Sequence, residues 1–316
     1  MKLKQFLRDW TLIIAILAGI AGYFTYMAIP VLDGTHAAML RVVESVQPAL
    51  IFAMLYLSFV RISPHDIRPC RWNVWLLLVQ AGVFAALGGV LIVLPHSSLR
   101  VVLEGAMICM ICPTATAAAV ITHKLGGNMA HITTYTILIN LVAAVMIPVM
   151  LPLVHPNPAL STLDSAMLIL GKVFPLLLMP LILAMLTRKL APGVLRWVER
   201  HPDLSFYLWA VALALAIAVT VRSIMHTTVG LSTQLWLVGV ALTACVLQFW
   251  LGRRIGSRYA DTVTAGQALG QKNTVFAIWI GYTFFSPVTA IVGGFYSIFH
   301  NVVNSWQLYR HRLPVK

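Results

Sequence analysis

The chain has 316 residues, of which 60% are hydrophobic and only 10% charged, and its mean hydropathy is +0.88. So little polar surface excludes a soluble globule and makes the bilayer its solvent. The formal net charge of +13 does not imply nucleic acid, because the basic residues are spread over the short loops and form no single patch.

Apolar runs close to the roughly 20 residues that a helix needs to cross about 30 Å of hydrocarbon recur along the chain. They predict an all-α membrane protein with ten spans near residues 10–29, 43–60, 72–94, 101–123, 128–151, 165–187, 204–221, 233–251, 258–282 and 287–308. The first run, behind Lys2, Lys4 and Arg8, is long, has no clear cleavage site and is followed at once by further spans. It reads as a helix and not as a signal peptide. With the N-terminus inside, most of the 22 basic residues fall in inward segments; only Arg41, Arg100 and Arg222 fall in outward loops, and Lys172 and Lys272 lie within spans. That asymmetry places both termini in the cytoplasm and the chain in the inner (plasma) membrane. Residues 152–164 and 188–203 are the wettest linkers, and no stretch suits a separate soluble domain, so residues 1–316 read as one integral-membrane unit.

Ten spans divide at the 152–164 linker into repeats of five, 1–155 and 160–316, and an odd number of spans inverts the second repeat relative to the first. The fourth span of each repeat is interrupted, by Cys112-Pro113-Thr114-Ala115-Thr116 and by the stretch from Gly266 to Thr274. Pro113 removes a backbone donor, and Gly266 and Gly270 lower the cost of leaving helical geometry. Unwound backbone survives in hydrocarbon only where protein or a water-filled cavity covers it, and paired breaks at matching places point to a transport site. Taken alone, Pro113 reads equally well as an ordinary proline kink.

Mid-span polar groups gather in the same spans: Gln80, Thr114, Thr116, Thr136, Asn140, Gln271, Lys272, Asn273, Thr274, His300, Asn301 and Asn304. A threonine hydroxyl can bond its own helix, whereas amide and imidazole groups need outside partners. Lys272 carries most information, since an ammonium at a helix centre costs roughly 2.5–3.5 kcal/mol. Nearly all nine acids lie in loops or at span ends, and Glu104 is the nearest to Pro113. The centre is therefore net positive, which suits a small organic anion as partner and calls for no organic cofactor. Lys172, early in its span, is expected to snorkel or cap. Cys109 and Cys112 form a C-x-x-C in an apolar run and read as packing residues. No nucleophile elbow, H-E-x-x-H or mid-span carboxylate pair suggests an enzyme.

At these residues the chain resembles the bile acid:sodium symporter family. Cys112-Pro113-x-x-Thr116 with Gly127-Asn128 is similar to that family's first broken helix and the turn after it, Gly270-x-x-Asn273 to the second, and Ser297-x-x-His300-Asn301 to its last helix. The resemblance implies panel helices at about 10–60 and 165–221, and a core at about 72–151 and 233–308 whose broken helices cross. It further implies alternating access for bile acids or smaller acids such as pantoate, with Thr116, Asn273, His300 and Asn301 at the substrate site and Thr114 and Thr274 beside them. The departures fall on the ion sites: Ala118 and Ala119 stand where the family has a Ser-Asn pair, Ile132 where it has a serine, and Ala268 and Lys272 where it has an acid and a glutamine. Gln80 and Thr136 keep matching polar types, and Gln271, next to Lys272, is counted with the ion-site positions. Methyl groups offer a hard cation no oxygen. The expectation is a carrier in which the Lys272 ammonium takes the place of a sodium ion and can also load and release a proton, so that Na+ or H+ is the coupling ion at issue. A sodium symporter with altered ligands and a transport-dead membrane receptor are the alternatives. Substrate identity, transport direction and oligomeric state are not legible.

Overall fold

The computed structural model describes residues 2–63, 65, 67–201 and 203–312, with backbone alone at 2–10, 12 and 312. The Lys2, Lys4 and Arg8 side chains weighed above therefore lie outside the described residues. Fourteen α-helices form among the described residues: α1 (Lys2–Met27), α2 (His36–Phe59), α3 (Arg71–Val93), α4 (Arg100–Ile111), α5 (Ala118–Lys124), α6 (Met129–Val154), α7 (Thr162–Leu177), α8 (Met179–Leu190), α9 (Pro192–Arg200), α10 (Leu204–Met225), α11 (Leu231–Gly256), α12 (Thr262–Gly270), α13 (Thr274–Phe284) and α14 (Ala290–Arg312).

Among the described residues, six segments are long and apolar enough to cross a membrane: 30–59, 71–93, 129–154, 162–190, 204–225 and 231–259. The other expected spans differ for identifiable reasons. In α1 the continuous stretch with described side chains, Ile13–Met27, is apolar, and α14 carries Ser297, His300, Asn301 and Asn304 along its length. The runs at 101–123 and 258–282 are each divided into two short helices, α4 with α5 and α12 with α13.

Two further departures come from proline and from amphipathicity. The run expected as one helix at 165–187 bends at Leu178, between Pro175 in α7 and Pro180 at the start of α8, where the missing N–H interrupts the ladder. The 188–203 linker contains α9, which turns Val198 inward and receives the Arg61 guanidinium on the Val198 and His201 carbonyls. Lys172 is exposed, and its ammonium lies 5.7 Å from the centroid of the Phe284 ring, a cation–π contact.

Helix α1 packs on α10, α10 on α2 and α2 on α8, while α3, α4 and α6 form a second group with α11, α12 and α14. The tightest joint is α11 on α12. Gly252 and Gly256 make a small-xxx-small ridge on α11; a Cβ added at Gly252 would stand 2.4 Å from the Ala265 carbonyl oxygen, and one at Gly256 would stand 2.6 Å from that of Asp261. Gly266 has the same kind of role. Helix α12 runs through it unbroken, so the break expected there is absent, and the missing side chain makes room for the Arg253 stem, whose Cγ lies 2.5 Å from the ideal Cβ position.

Gly252→Ala is accordingly expected to destabilise the fold by about 1–3 kcal/mol, as overpacking does. Gly239→Ala on the same helix, which faces open space, should leave the melting temperature in detergent unchanged. Equal melting of the two variants would show that the α11–α12 contact is looser than described.

Candidate functional site

The two interruptions meet. After α4 ends, Cys112 is extended (φ −55, ψ 125), the conformation that a following proline imposes. After α12 ends at Gly270, Gln271 is extended as well (φ −92, ψ 105). Thr114 and Lys272 then pair as an antiparallel bridge. The Ala115 amide donates to the Gln271 carbonyl at 3.0 Å, and the Asn273 amide donates to the Pro113 carbonyl at 2.8 Å. Each unwound stretch therefore satisfies the other.

Carbonyls left over at the C-terminal ends of the half-helices find side-chain donors. Gln80 of α3 donates to the Cys112 carbonyl (2.9 Å) and Gln248 of α11 to that of Cys109 (3.2 Å). Thr114 donates to the Ala268 carbonyl (2.6 Å) and Tyr296 of α14 to that of Gly270 (2.8 Å). At the start of α13 the Asn273 side chain acts as N-cap, accepting from the Phe276 amide at 3.2 Å.

A small cavity of about 30 Å³ lies beside the crossover. Thr116, Gln271, Lys272, Asn273, Thr274, His300 and Asn301 line it, and Met54 of α2 and Trp209 of α10 close it from the other helix group. Such a space admits a water or two and no organic acid. Several of its walls carry unmet hydrogen-bonding capacity: Lys272 Nζ, Gln271 Oε1 and His300 Nδ1 are buried without a partner. Lys272 is 1% exposed, and the ionisable groups facing it are the thiols of Cys112 and Cys109 in the last turn of α4. The acid nearest in sequence is engaged elsewhere, since Glu104 is ion-paired with Arg100 at 2.9 Å.

Other expected site residues lie away from the cavity. The Thr114 hydroxyl is committed to Ala268, so it staples the crossover and does not face a guest. Both ends of the Gln80 amide are used, because its oxygen accepts from Tyr135 at 2.9 Å. Thr136 bonds back to the Ile132 carbonyl of its own helix at 2.9 Å. Ala118, Ile132 and Ala268 fall into one hydrophobic cluster with Leu76 and Leu269, with Ala119 packed against it. Asn301 lines the cavity but also donates to the Ser297 carbonyl at 2.7 Å.

The residues that sequence reasoning passed over are Gln248, Tyr296, Met54, Trp209 and Gln47. Gln248 and Gln47 carried a visible signal as amides within apolar runs. Gln47 of α2 is fully buried, donates to the Val275 carbonyl (3.4 Å) and accepts from Tyr282 (3.0 Å), both on α13. For Tyr296, Met54 and Trp209 nothing in the one-dimensional pattern distinguishes a lining or capping residue from core.

Interrupted helices that cross in a bundle of apolar helices, with a cavity at the crossing, define a multi-pass membrane protein with the architecture of secondary transporters. The model of the SBF-like CPA transporter family matches residues 9–300, and the chain belongs to that family, which is related to the bile acid:sodium symporters. No curated protein matches the chain.

Thr114→Val removes the hydroxyl that satisfies Ala268 and leaves a buried carbonyl bare. The expected loss of stability is about 1–3 kcal/mol, read by thermal melting of the detergent-solubilised chain. Unchanged melting would show that the carbonyl has another donor.

Proposed function

We propose that the chain is a carrier of a small organic anion that works by alternating access and does not depend on sodium, with the Lys272 ammonium standing in for a coupling cation. The observation that carries this reading is the buried, unpartnered Lys272 amine at a cavity beside the start of α13. The N-terminus of α13 presents free amide ends and a partial positive charge, and Lys272 adds a full one. No carboxylate lines the cavity, and Glu104 is held in its ion pair with Arg100. An anion is the guest that such a field favours. Thr116, Asn273, Thr274, His300 and Asn301 are the substrate groups on this reading.

Sodium independence is supported by the apolar surroundings of Ala118, Ile132 and Ala268, where a cation would meet methyl groups and no oxygen. Lys272 instead lies beside the last turn of α4, a helix end that carries partial negative charge, and offsets it there. The element order supports a ten-span reading in two inverted repeats: in each half, two scaffold helices are followed by a long core helix, a broken one and another long one. In the first half these are α1, α2, α3, α4 with α5, and α6; in the second they are α7 with α8, α10, α11, α12 with α13, and α14. We assign 1–155 and 160–316 to the repeats, both termini to the cytoplasm of the inner membrane, and the first two spans of each half to a panel that rocks against the core. The cavity of about 30 Å³ is then an occluded state, and Met54 and Trp209 must withdraw before a substrate enters. An enzyme is disfavoured by the thiols: Cys109, Cys112 and Cys245 are buried, and burial, reinforced by Asp261, pushes the half-buried Cys70 up to about 11, away from a thiolate nucleophile.

The test is uptake of pantoate and of a bile acid into proteoliposomes with choline replacing sodium. Uptake should persist, and abolition by sodium removal would overturn the lysine-for-sodium assignment. Lys272→Gln should weaken the apparent affinity for the anion by about 10- to 100-fold, the 1.5–3 kcal/mol typical of a buried hydrogen bond to a charged group. Unaltered affinity in that variant would remove the ammonium from the site.

A further inference from the structure

A second cluster of chemistry-bearing side chains lies away from the crossover. Cys70 is the N-cap of α3, His131 is in the first turn of α6, and Asp261 is the N-cap of α12. Three stretches far apart in sequence thus converge at one end of the core helices. One ligand atom from each residue lies within 4.8 Å of the other two, and His131 Nδ1 is 2.6 Å from Asp261 Oδ2. All three residues are half-buried, so the cluster is neither a solvated surface patch nor sealed from entry. A cavity of about 380 Å³ opens beside it, lined by His131 and Asp261 together with Tyr259 and the Gly126–Asn128 turn.

We propose that Cys70, His131 and Asp261 form a three-ligand site for a divalent zinc-type metal ion, with the fourth coordination position open to the adjacent cavity. The donor set decides the class of ion. One sulfur, one imidazole nitrogen and one carboxylate oxygen suit a borderline-soft cation such as Zn2+, whereas Mg2+ and Ca2+ require oxygen throughout. Three protein ligands with one free position is the open form of such sites, as opposed to the closed four-ligand structural form. The surroundings already orient the ligands. The Trp72 indole donates to Asp261 Oδ2 at 3.0 Å, and the Asn73 side chain accepts from the Cys70 backbone amide at 2.7 Å. Partners of this kind fix ligand orientation in metal sites. The ion displaces the proton that His131 shares with Asp261 and the proton of the Cys70 thiol, and it binds the three deprotonated groups. Bound there, it ties the first residues of α12, and so the half-helix that leads to Lys272, to α3 and α6. The site shares no residue with the crossover cavity, so its test is independent of the substrate and of sodium.

The experiment uses the full chain in detergent, purified without a histidine tag and stripped with a chelator. Co2+ is titrated as a spectroscopic probe, and melting is measured with Zn2+ and, separately, with Mg2+. Expected are one cobalt per chain with a thiolate-to-metal absorption band, and a rise in melting temperature with Zn2+ that Mg2+ does not produce. Cys70→Ser should abolish the band, and His131→Gln and Asp261→Asn should each weaken binding at least about tenfold, with metal-free melting checked for each variant. Absence of the band in the unmodified chain overturns the site whatever the variants do. Persistence of the band in Cys70→Ser, or equal cobalt affinity in both other variants, overturns it too.

Discussion

A backbone that leaves helical geometry inside a bilayer must find every hydrogen bond within the protein, and the rest of this structure is arranged around that requirement. The two unwound stretches solve it jointly. Each lends the other amides and carbonyls through the Thr114–Lys272 bridge. The carbonyls that the bridge leaves over are reached from α3, α11 and α14 by Gln80, Gln248 and Tyr296. These three helices cannot slide without uncapping a helix end. A buried orphan carbonyl costs about 1–3 kcal/mol, so the long core helices are pinned by polar contacts as well as by packing.

The same crossing sets the electrostatics. Two helix C-terminal ends and two helix N-terminal ends are brought to one place, with partial charges of opposite sign that a low-dielectric interior does little to screen. Lys272 projects toward the last turn of α4, where its charge has a use, and it remains at the edge of the cavity formed with the start of α13. On the reading proposed above, this residue takes the place of an external cation in balancing the helix ends. The apolar cluster of Ala118, Ile132 and Ala268 offers a cation no oxygen ligand.

Composition and hydrophobic periodicity made the membrane class and most helix positions legible, and Pro113 marked the first break because proline acts on backbone geometry directly. The second break was displaced in the sequence reading. Gly266 looked like a breaker, yet its lack of a side chain serves packing against Arg253, and the chain unwinds only at Gln271. Glycine signals permission, and only the neighbouring helix decides how the permission is used. Polar residues posed a parallel ambiguity. Thr114, Thr136 and Gln80 carry the right atoms for a site, but their capacity is consumed by carbonyls of the protein itself. A sequence does not disclose that consumption, whereas Lys272 and His300 keep buried atoms unused. The Cys70, His131 and Asp261 cluster left no one-dimensional trace, since its members have no motif spacing and meet only through the packing of α3, α6 and α12.

The contact between the two helix groups at the cavity differs in kind from the contacts within the core. Met54 and Trp209 close the cavity with apolar surface, and the polar tie of this face to α13 is the Gln47 amide bridging Val275 and Tyr282. Within the core, by contrast, the crossover is held by a dense set of backbone and side-chain hydrogen bonds. In lipid, where apolar association has no hydrophobic drive, groups that meet mainly through van der Waals surface, with side-chain contacts such as the Gln47 amide and the Lys172–Phe284 cation–π pair, separate at less cost than groups that cap each other's backbone. The plane of least resistance therefore runs between Gln47, Met54 and Trp209 on one side and the broken helices on the other. The alternating access proposed above is then a motion along that plane, which opens the cavity and leaves the crossover with Lys272 intact.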